Sequence, residues 1–431
     1  MAIRAQVSPP GVRPDAPEAA PDLPMISGHN AALDGLRVIA ALAVLITHVG
    51  GETGFSFTGT PASWVVARCD VGVPIFFGLS GLLLYRPWAR AAITGHAGPT
   101  TRSYLRRRAL RILPAYWVVV ILALLTLNPG HVRSLLTWAQ YLLLAQNYDA
   151  HPWWGGTGAT GLAQMWSLVV EVSFYLVLPP LAAALTWLAR RGTTDPGRRA
   201  RRLLAGIAVL GLSSYGFCVL LFYPSLQLWL GATLPHLMTW FAVGMALAVV
   251  SAWAHAEPGG DGPVARLCRT IASSTGACWL IAGLAFAMAC TPLAGPQTFQ
   301  VPSLWATEVK TALYTVVALA LIAPVAFQPA RSTWVARALG NPVMSFLGRI
   351  SYGIFLWQFL VIYAFFAVVG VRDAFHGGYF IWPEVLGILA VVVVLTIAMS
   401  AVSYYVIELP AQALYRSRPR AGGSLAPHRA D

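Results

Sequence analysis

A chain of 431 residues with 57% hydrophobic residues, 10% charged residues and a mean hydropathy of +0.64 is too apolar for a soluble domain of that length. The net charge of +13 would suit nucleic acid, but the arginines collect in short connections between apolar runs, which is the pattern of a topology signal. Cys69, Cys218, Cys268, Cys278 and Cys290 form no CxxC pair and mostly sit in or beside apolar runs, so neither a disulfide framework nor a metal site is indicated.

The apolar residues fall in runs of about twenty, the length of a membrane-crossing helix, and not in the alternating ten-residue pattern of barrel strands. The fold class is therefore all-α: a polytopic membrane helical bundle of about ten transmembrane helices. Residues 1–30 are rich in Pro, Ala and Gly and lack an apolar core, which predicts a disordered tail and not a cleavable signal peptide. Spans are expected at about 36–54, 67–86, 111–128, 162–189, 203–223, 234–253, 272–292, 307–328, 346–369 and 384–408. Residues 411–431 read as a second disordered, basic tail, which leaves 31–410 as the transmembrane domain. One set of alternate connections and tails holds 24 arginines and the other only 3, with Arg37 and Lys310 assigned to spans. The positive-inside rule then puts both termini on the cytoplasmic side of a cell membrane.

Span 1 carries Arg37 near its start and His48 near its end. Eleven helical steps separate them, a rise of about 16 Å with a net rotation of about 20°, so both side chains share one face. Ionisable groups at that depth are costly unless they face the bundle interior or a wet cavity, which makes them functional candidates. A snorkelling arginine and a satisfied interhelical histidine would produce the same pattern. Span 2 reads Phe76-Phe77-Gly78-Leu79-Ser80-Gly81, where the glycines allow close helix approach; Ser80 serves as a nucleophile only if a base reaches it. The second connection, Arg102 to Arg111, leads straight into span 3. Its Arg108 and Arg111 lie three apart on a helical face, suited to gripping phosphate oxygens, although a topology signal needs only their charge.

The longest outer connection, about 129–161, contains the apolar piece Leu135–Leu144, too short to cross and expected to lie at the surface or fold back as a re-entrant helix. It ends in Trp153-Trp154-Gly155-Gly156-Thr157-Gly158, which suits either a lid over an outer cavity or an interfacial tryptophan belt. Span 4 holds Trp166 and, two to three turns in, Glu171. That depth predicts a carboxylate in the same half of the membrane as His48, where it would orient the imidazole and raise its basicity; a structural ion pair is the alternative.

At these residues the chain resembles the membrane-bound acyltransferase 3 family, which includes bacterial polysaccharide, macrolide and nodulation-factor acyltransferases. The resemblance covers most of residues 31–410. It rests on Leu33-Asp34-Gly35-Leu36-Arg37 with His48, Phe76–Gly81, Arg107–Pro114, Trp166–Leu176, Ser351–Trp357 and Ser403–Pro410, six segments in the family's order. It implies acyl-CoA as a cytoplasmic co-substrate, with no permanently bound cofactor and no metal. The implied acceptor is a hydroxyl of a cell-envelope glycan or of a glycosylated or macrolide natural product. Arg37, Arg108 and Arg111 would bind the donor, His48 and Glu171 would carry the chemistry, and Asp34, Ser80, Trp166 and Tyr352 would support them. Two positions depart from the family pattern: Val172 replaces the second member of a double acid, and Gln358 stands where a histidine usually follows the tryptophan. Val38 replaces a usual glycine, a packing change. A mechanism built on His48 is compatible with these departures. Among other classes, a transporter would call for internal symmetry, of which the sequence shows none convincing. A non-catalytic export or assembly partner would tolerate loss of His48.

Overall fold

The computed structural model describes residues 23–25, 28–156, 158–296, 300–329, 333–374 and 378–416. Its helices in chain order are α1 (Ala31–Glu52), α2 (Pro61–Arg68), α3 (Gly72–Thr94), α4 (Thr101–Leu127), α5 (Leu135–Leu142), α6 (Met165–Arg190), α7 (Pro196–Phe222), α8 (Leu234–Ala256), α9 (Pro263–Ser273), α10 (Thr275–Ala289), α11 (Leu304–Ala326), α12 (Trp334–Leu339), α13 (Pro342–Val369), α14 (Trp382–Ser403) and α15 (Leu409–Arg416). Among the described residues there is no strand, only an isolated bridge between Pro24 and Pro329. Nine spans in these residues are long and apolar enough to cross a membrane, and α9–α10, bent by 69°, makes ten if counted as one crossing. The protein is a multi-pass membrane protein.

Helix starts follow local chemistry. Asn30 caps α1 by accepting the Ala32 N–H at 3.0 Å, Asp195 caps α7 by accepting the Arg198 N–H at 2.6 Å, and Asn341 caps α13 by accepting the Met344 N–H at 2.9 Å. Pro196 and Pro342 occupy first-turn positions, where a missing N–H costs nothing. Glycines let helices meet backbone to backbone. A Cβ on Gly244 of α8 would fall 1.9 Å from the Gly78 carbonyl oxygen of α3, and one on Gly81 would fall 2.2 Å from the Phe241 carbonyl oxygen. The seam is filled by Phe241, whose ring stacks on Phe77 at 4.5 Å and on Phe174 of α6 at 4.2 Å.

Several boundaries differ from expectation. The arginine-rich second connection is the first three turns of α4, which begins at Thr101, so its cations are held on a helix and not in a loop. The C-terminal tail does not begin irregular at 411: a single π-turn, Tyr404–Glu408, leads into α15, whose Leu414 carbonyl accepts from Arg106 Nη2 at 3.4 Å. Of the N-terminal tail, Pro24 offers its carbonyl to His255 Nε2 at 2.6 Å, and His29 and Asn30 contact α1. Residues 1–22, 26–27 and 417–431, where the rest of the two tails was expected, lie outside the described residues.

The apolar piece of the long connection is α5, with Leu135, Leu136 and the following Leu143 exposed. Beyond it Trp153 is pinned, its ring stacked on His131 at 3.5 Å and its indole N–H donated to Thr137 Oγ1 at 3.1 Å. The connection then folds into the bundle, where Gln164 Nε2 donates to the Leu356 carbonyl of α13 at 3.1 Å. Helix α6 therefore starts deep inside the bundle.

Candidate functional site

Five helices and the segment before α1 enclose a cavity of about 260 Å³, lined by Asp34 and Arg37 from α1, Phe76 and Ser80 from α3, Arg108 and Arg111 from α4, Glu171 and Tyr175 from α6, and Tyr352 from α13. Helical spacing brings the arginines together: Arg108 and Arg111 project from one face of α4 toward Arg37 across the gap. Asp34 is buried, with Arg37 Nη1 and His29 Nε2 each 3.0 Å from its carboxylate. Among the described residues Arg108 and Arg111 form no salt bridge, and Arg108 Nε is buried without a hydrogen-bond partner. Three guanidinium groups around one cavity, two of them in no salt bridge among the described residues, make a site suited to an anion brought by a ligand.

On the wall of the same cavity, Glu171 Oε1 accepts two hydroxyls, Ser80 Oγ at 2.5 Å and Tyr175 Oη at 2.7 Å. The condition for Ser80 to act as more than a packing residue, a base within reach, is therefore met geometrically. Tyr352 donates its hydroxyl to the Ile112 carbonyl at 2.9 Å, tying α13 to α4 beside Arg111. Trp166 does not line the cavity; it sits in the first turn of α6, where its carbonyl accepts from Asn147 Nδ2 at 2.8 Å.

His48 stands apart from this group. A Cβ on Gly348 of α13 would lie 2.5 Å from Asp34 Cβ, while Phe359, three turns further along α13, stacks on the His48 ring with centroids 4.5 Å apart. Helices α1 and α13 thus run side by side in the same direction. His48 lies 11 residues beyond Arg37 and 14 beyond Asp34, about 16–21 Å up the bundle from the cavity that holds Glu171. The expected His48–Glu171 pairing is corrected accordingly: Glu171 partners Ser80 and Tyr175, at the arginine end. The reason is the inward fold of the long connection, which starts α6 deep and so carries its seventh residue past the level of His48.

Near His48 is a second polar cluster that the sequence did not single out. Asp70 accepts from Lys310 Nζ at 2.6 Å and from the Tyr314 hydroxyl, and buried Arg68 donates to the carbonyls of Ala289 (2.9 Å), Ala294 (3.0 Å) and Gly295 (2.7 Å). Thr47, the neighbour of His48, donates to the Val66 carbonyl at 2.6 Å, which joins α1 to this region. The available signal was that Lys310, the chain's single lysine, falls within an apolar span.

The fold and the cavity define a multi-pass helical membrane protein with an internal, cation-lined chamber. The chain belongs to the Acyl_transf_3 family, described as an acyltransferase domain, whose model matches residues 30–405, and it is a membrane acyltransferase. It is 26% identical over 419 residues to "Nodulation protein 10" of Rhizobium leguminosarum bv. viciae, covering 91% of this chain and 95% of that protein. It is 24% identical over 400 residues to a "Putative O-acetyltransferase" of Staphylococcus aureus (strain COL), covering 88% of this chain and 56% of that longer protein. No solved structure matches the chain.

Proposed function

We propose that the protein is an O-acyltransferase that takes its acyl group from acyl-CoA on the cytoplasmic side and passes it to a hydroxyl of a cell-envelope glycan or of a glycosylated or macrolide natural product. The observation that carries the donor half is the cluster of Arg37, Arg108 and Arg111 around one cavity, with Arg108 and Arg111 in no salt bridge among the described residues. The arginine-rich connections at that end support a cytoplasmic assignment for both termini in a plasma or inner membrane. At about 260 Å³ the cavity suits part of a coenzyme, its phosphates, better than the whole molecule.

The pantetheine arm of coenzyme A is roughly 16 Å long when extended, from standard bond dimensions. The axial rise from Arg37 to His48 is also about 16 Å. Phosphates on the arginines would therefore deliver the thioester to the level of His48. There His48 acts as general base: it takes the proton of the acceptor hydroxyl, the oxygen attacks the thioester carbonyl, and the C–S bond breaks to release the coenzyme A thiolate. Glu171 holds Ser80 and Tyr175 at the donor end, and the names of the O-acetyltransferase relatives support O-acylation.

The test follows thioester cleavage of acetyl-CoA and propionyl-CoA by protein in nanodiscs, wild type against His48→Ala. Cleavage by wild type that is lost in His48→Ala supports the reading. Equal cleavage by both removes His48 from the chemistry. No cleavage and no coenzyme A binding, repeated with candidate glycan acceptors, overturns acyl-CoA dependence.

A further inference from the structure

Gln358 is fully buried in α13, adjacent in sequence to the Phe359 ring that stacks on His48. Its side-chain amide lies against the imidazole. The Gln358 Nε2 group is committed, donating to the Phe355 carbonyl at 2.9 Å. That leaves Oε1 as an acceptor, and Oε1 is buried without an aligned partner. His48 Nδ1 is likewise buried without a hydrogen-bond partner. Two complementary polar atoms on neighbouring, parallel helices are each left unsatisfied, a costly state for buried groups that a hydrogen bond between them would relieve.

From this contact we infer that Gln358 is the positioning residue for His48: its Oε1 accepts the Nδ1–H and so fixes the tautomer whose Nε2 carries the lone pair. This goes beyond the proposed function and rests on it in one respect, that His48 is the base. The physical argument is one of exclusion. A neutral imidazole has one N–H and one lone pair, and the nitrogen facing an obligate acceptor must carry the proton. Gln358 Nε2 cannot turn to donate to His48 without abandoning the Phe355 carbonyl and leaving Oε1 against it. Asp70 stands near the ring but is already engaged by Lys310 and Tyr314, so it does not compete to orient Nδ1. The amide also has an advantage over a carboxylate here, since it orients the ring without placing a charge in the membrane interior.

The experiment uses the full chain in nanodiscs, with acetyl-CoA as donor and water as acceptor, and 15N-labelled histidine for NMR. Wild type should show His48 as a neutral ring protonated at Nδ1. Gln358→Leu, matched in size but without an acceptor, should lose that signature and lower kcat by about tenfold or more, with the KM for acetyl-CoA nearly unchanged. Gln358→Glu and Gln358→His, which retain an acceptor, should keep the Nδ1–H signature and recover most of the rate. A loss of packing alone would reduce all three variants together and leave the tautomer unmoved. The inference is overturned if wild-type His48 carries its proton on Nε2, or if Gln358→Leu leaves kcat within about twofold of wild type. If wild type cleaves no acyl-CoA and binds none, the acyltransferase chemistry fails while the NMR still decides the His48–Gln358 contact.

Discussion

Replacing Arg111 with Gln isolates the donor site, because the substitution breaks no salt bridge among the described residues. Arg111 lines the cavity with Arg37 and Arg108, and any energy it contributes to a ligand appears only when an anion is present. A charge-assisted hydrogen bond from a guanidinium to a phosphate contributes about 1.5–3 kcal/mol. At 1.4 kcal/mol per tenfold, Arg111→Gln should raise the Kd for coenzyme A by roughly 10- to 150-fold. The assay is calorimetric titration of nanodisc-embedded protein with coenzyme A and, in parallel, with acetyl-pantetheine, which has the arm but no phosphates. Acetyl-pantetheine should bind wild type and Arg111→Gln equally. If both ligands weaken together, Arg111 acts by holding the cavity's shape; if neither weakens, the arginines are a topology signal and the phosphate-site argument fails.

Other substitutions test the architecture. Gly244→Ala should destabilise the bundle by more than the usual ~1–3 kcal/mol of overpacking, since its Cβ would collide with the α3 backbone at 1.9 Å; detergent melting of purified protein reads this directly, and an unchanged melt refutes the close α3–α8 contact. Glu171→Leu should cost about 2–4 kcal/mol by stranding the Ser80 and Tyr175 hydroxyls, whereas Glu171→Gln keeps an acceptor oxygen and should cost under about 1 kcal/mol. Lys310→Met should lower the melting temperature by leaving Asp70 with Tyr314 alone, and the double variant Asp70→Asn, Lys310→Met should recover part of the loss. A double variant whose loss equals the sum of the losses of Asp70→Asn and Lys310→Met alone would show that the pair is not coupled.

Much was legible without the structure because the bilayer acts as a strong filter on sequence. Runs of about twenty apolar residues leave a helix as the only way to satisfy the backbone, so the all-α, multi-span class and most helix positions follow from hydropathy alone. Helical periodicity likewise set Arg37 and His48 on one face of α1 and put Arg108 and Arg111 on one face of α4. Six short segments in order sufficed for the family, which the matching of residues 30–405 bears out.

Depth relative to another helix was not legible, because it depends on where the preceding connection leaves the chain. Counting from a membrane surface put Glu171 opposite His48; the fold of residues 129–164 into the bundle, anchored by Gln164 on Leu356, carries Glu171 to the arginine end and against Ser80. The partners of His48 were hidden for a similar reason. Gln358 reads in sequence as a departure from the family's usual histidine, with nothing to say what it touches, and the side-by-side course of α1 and α13 is what sets its amide against the imidazole. Local chemistry and the bilayer's demand for satisfied backbones determine which helices form and which face of each is polar. Only the packed bundle decides which polar faces meet, since that choice depends on contacts between residues hundreds of positions apart, such as Arg68 with Gly295 and Asp70 with Lys310.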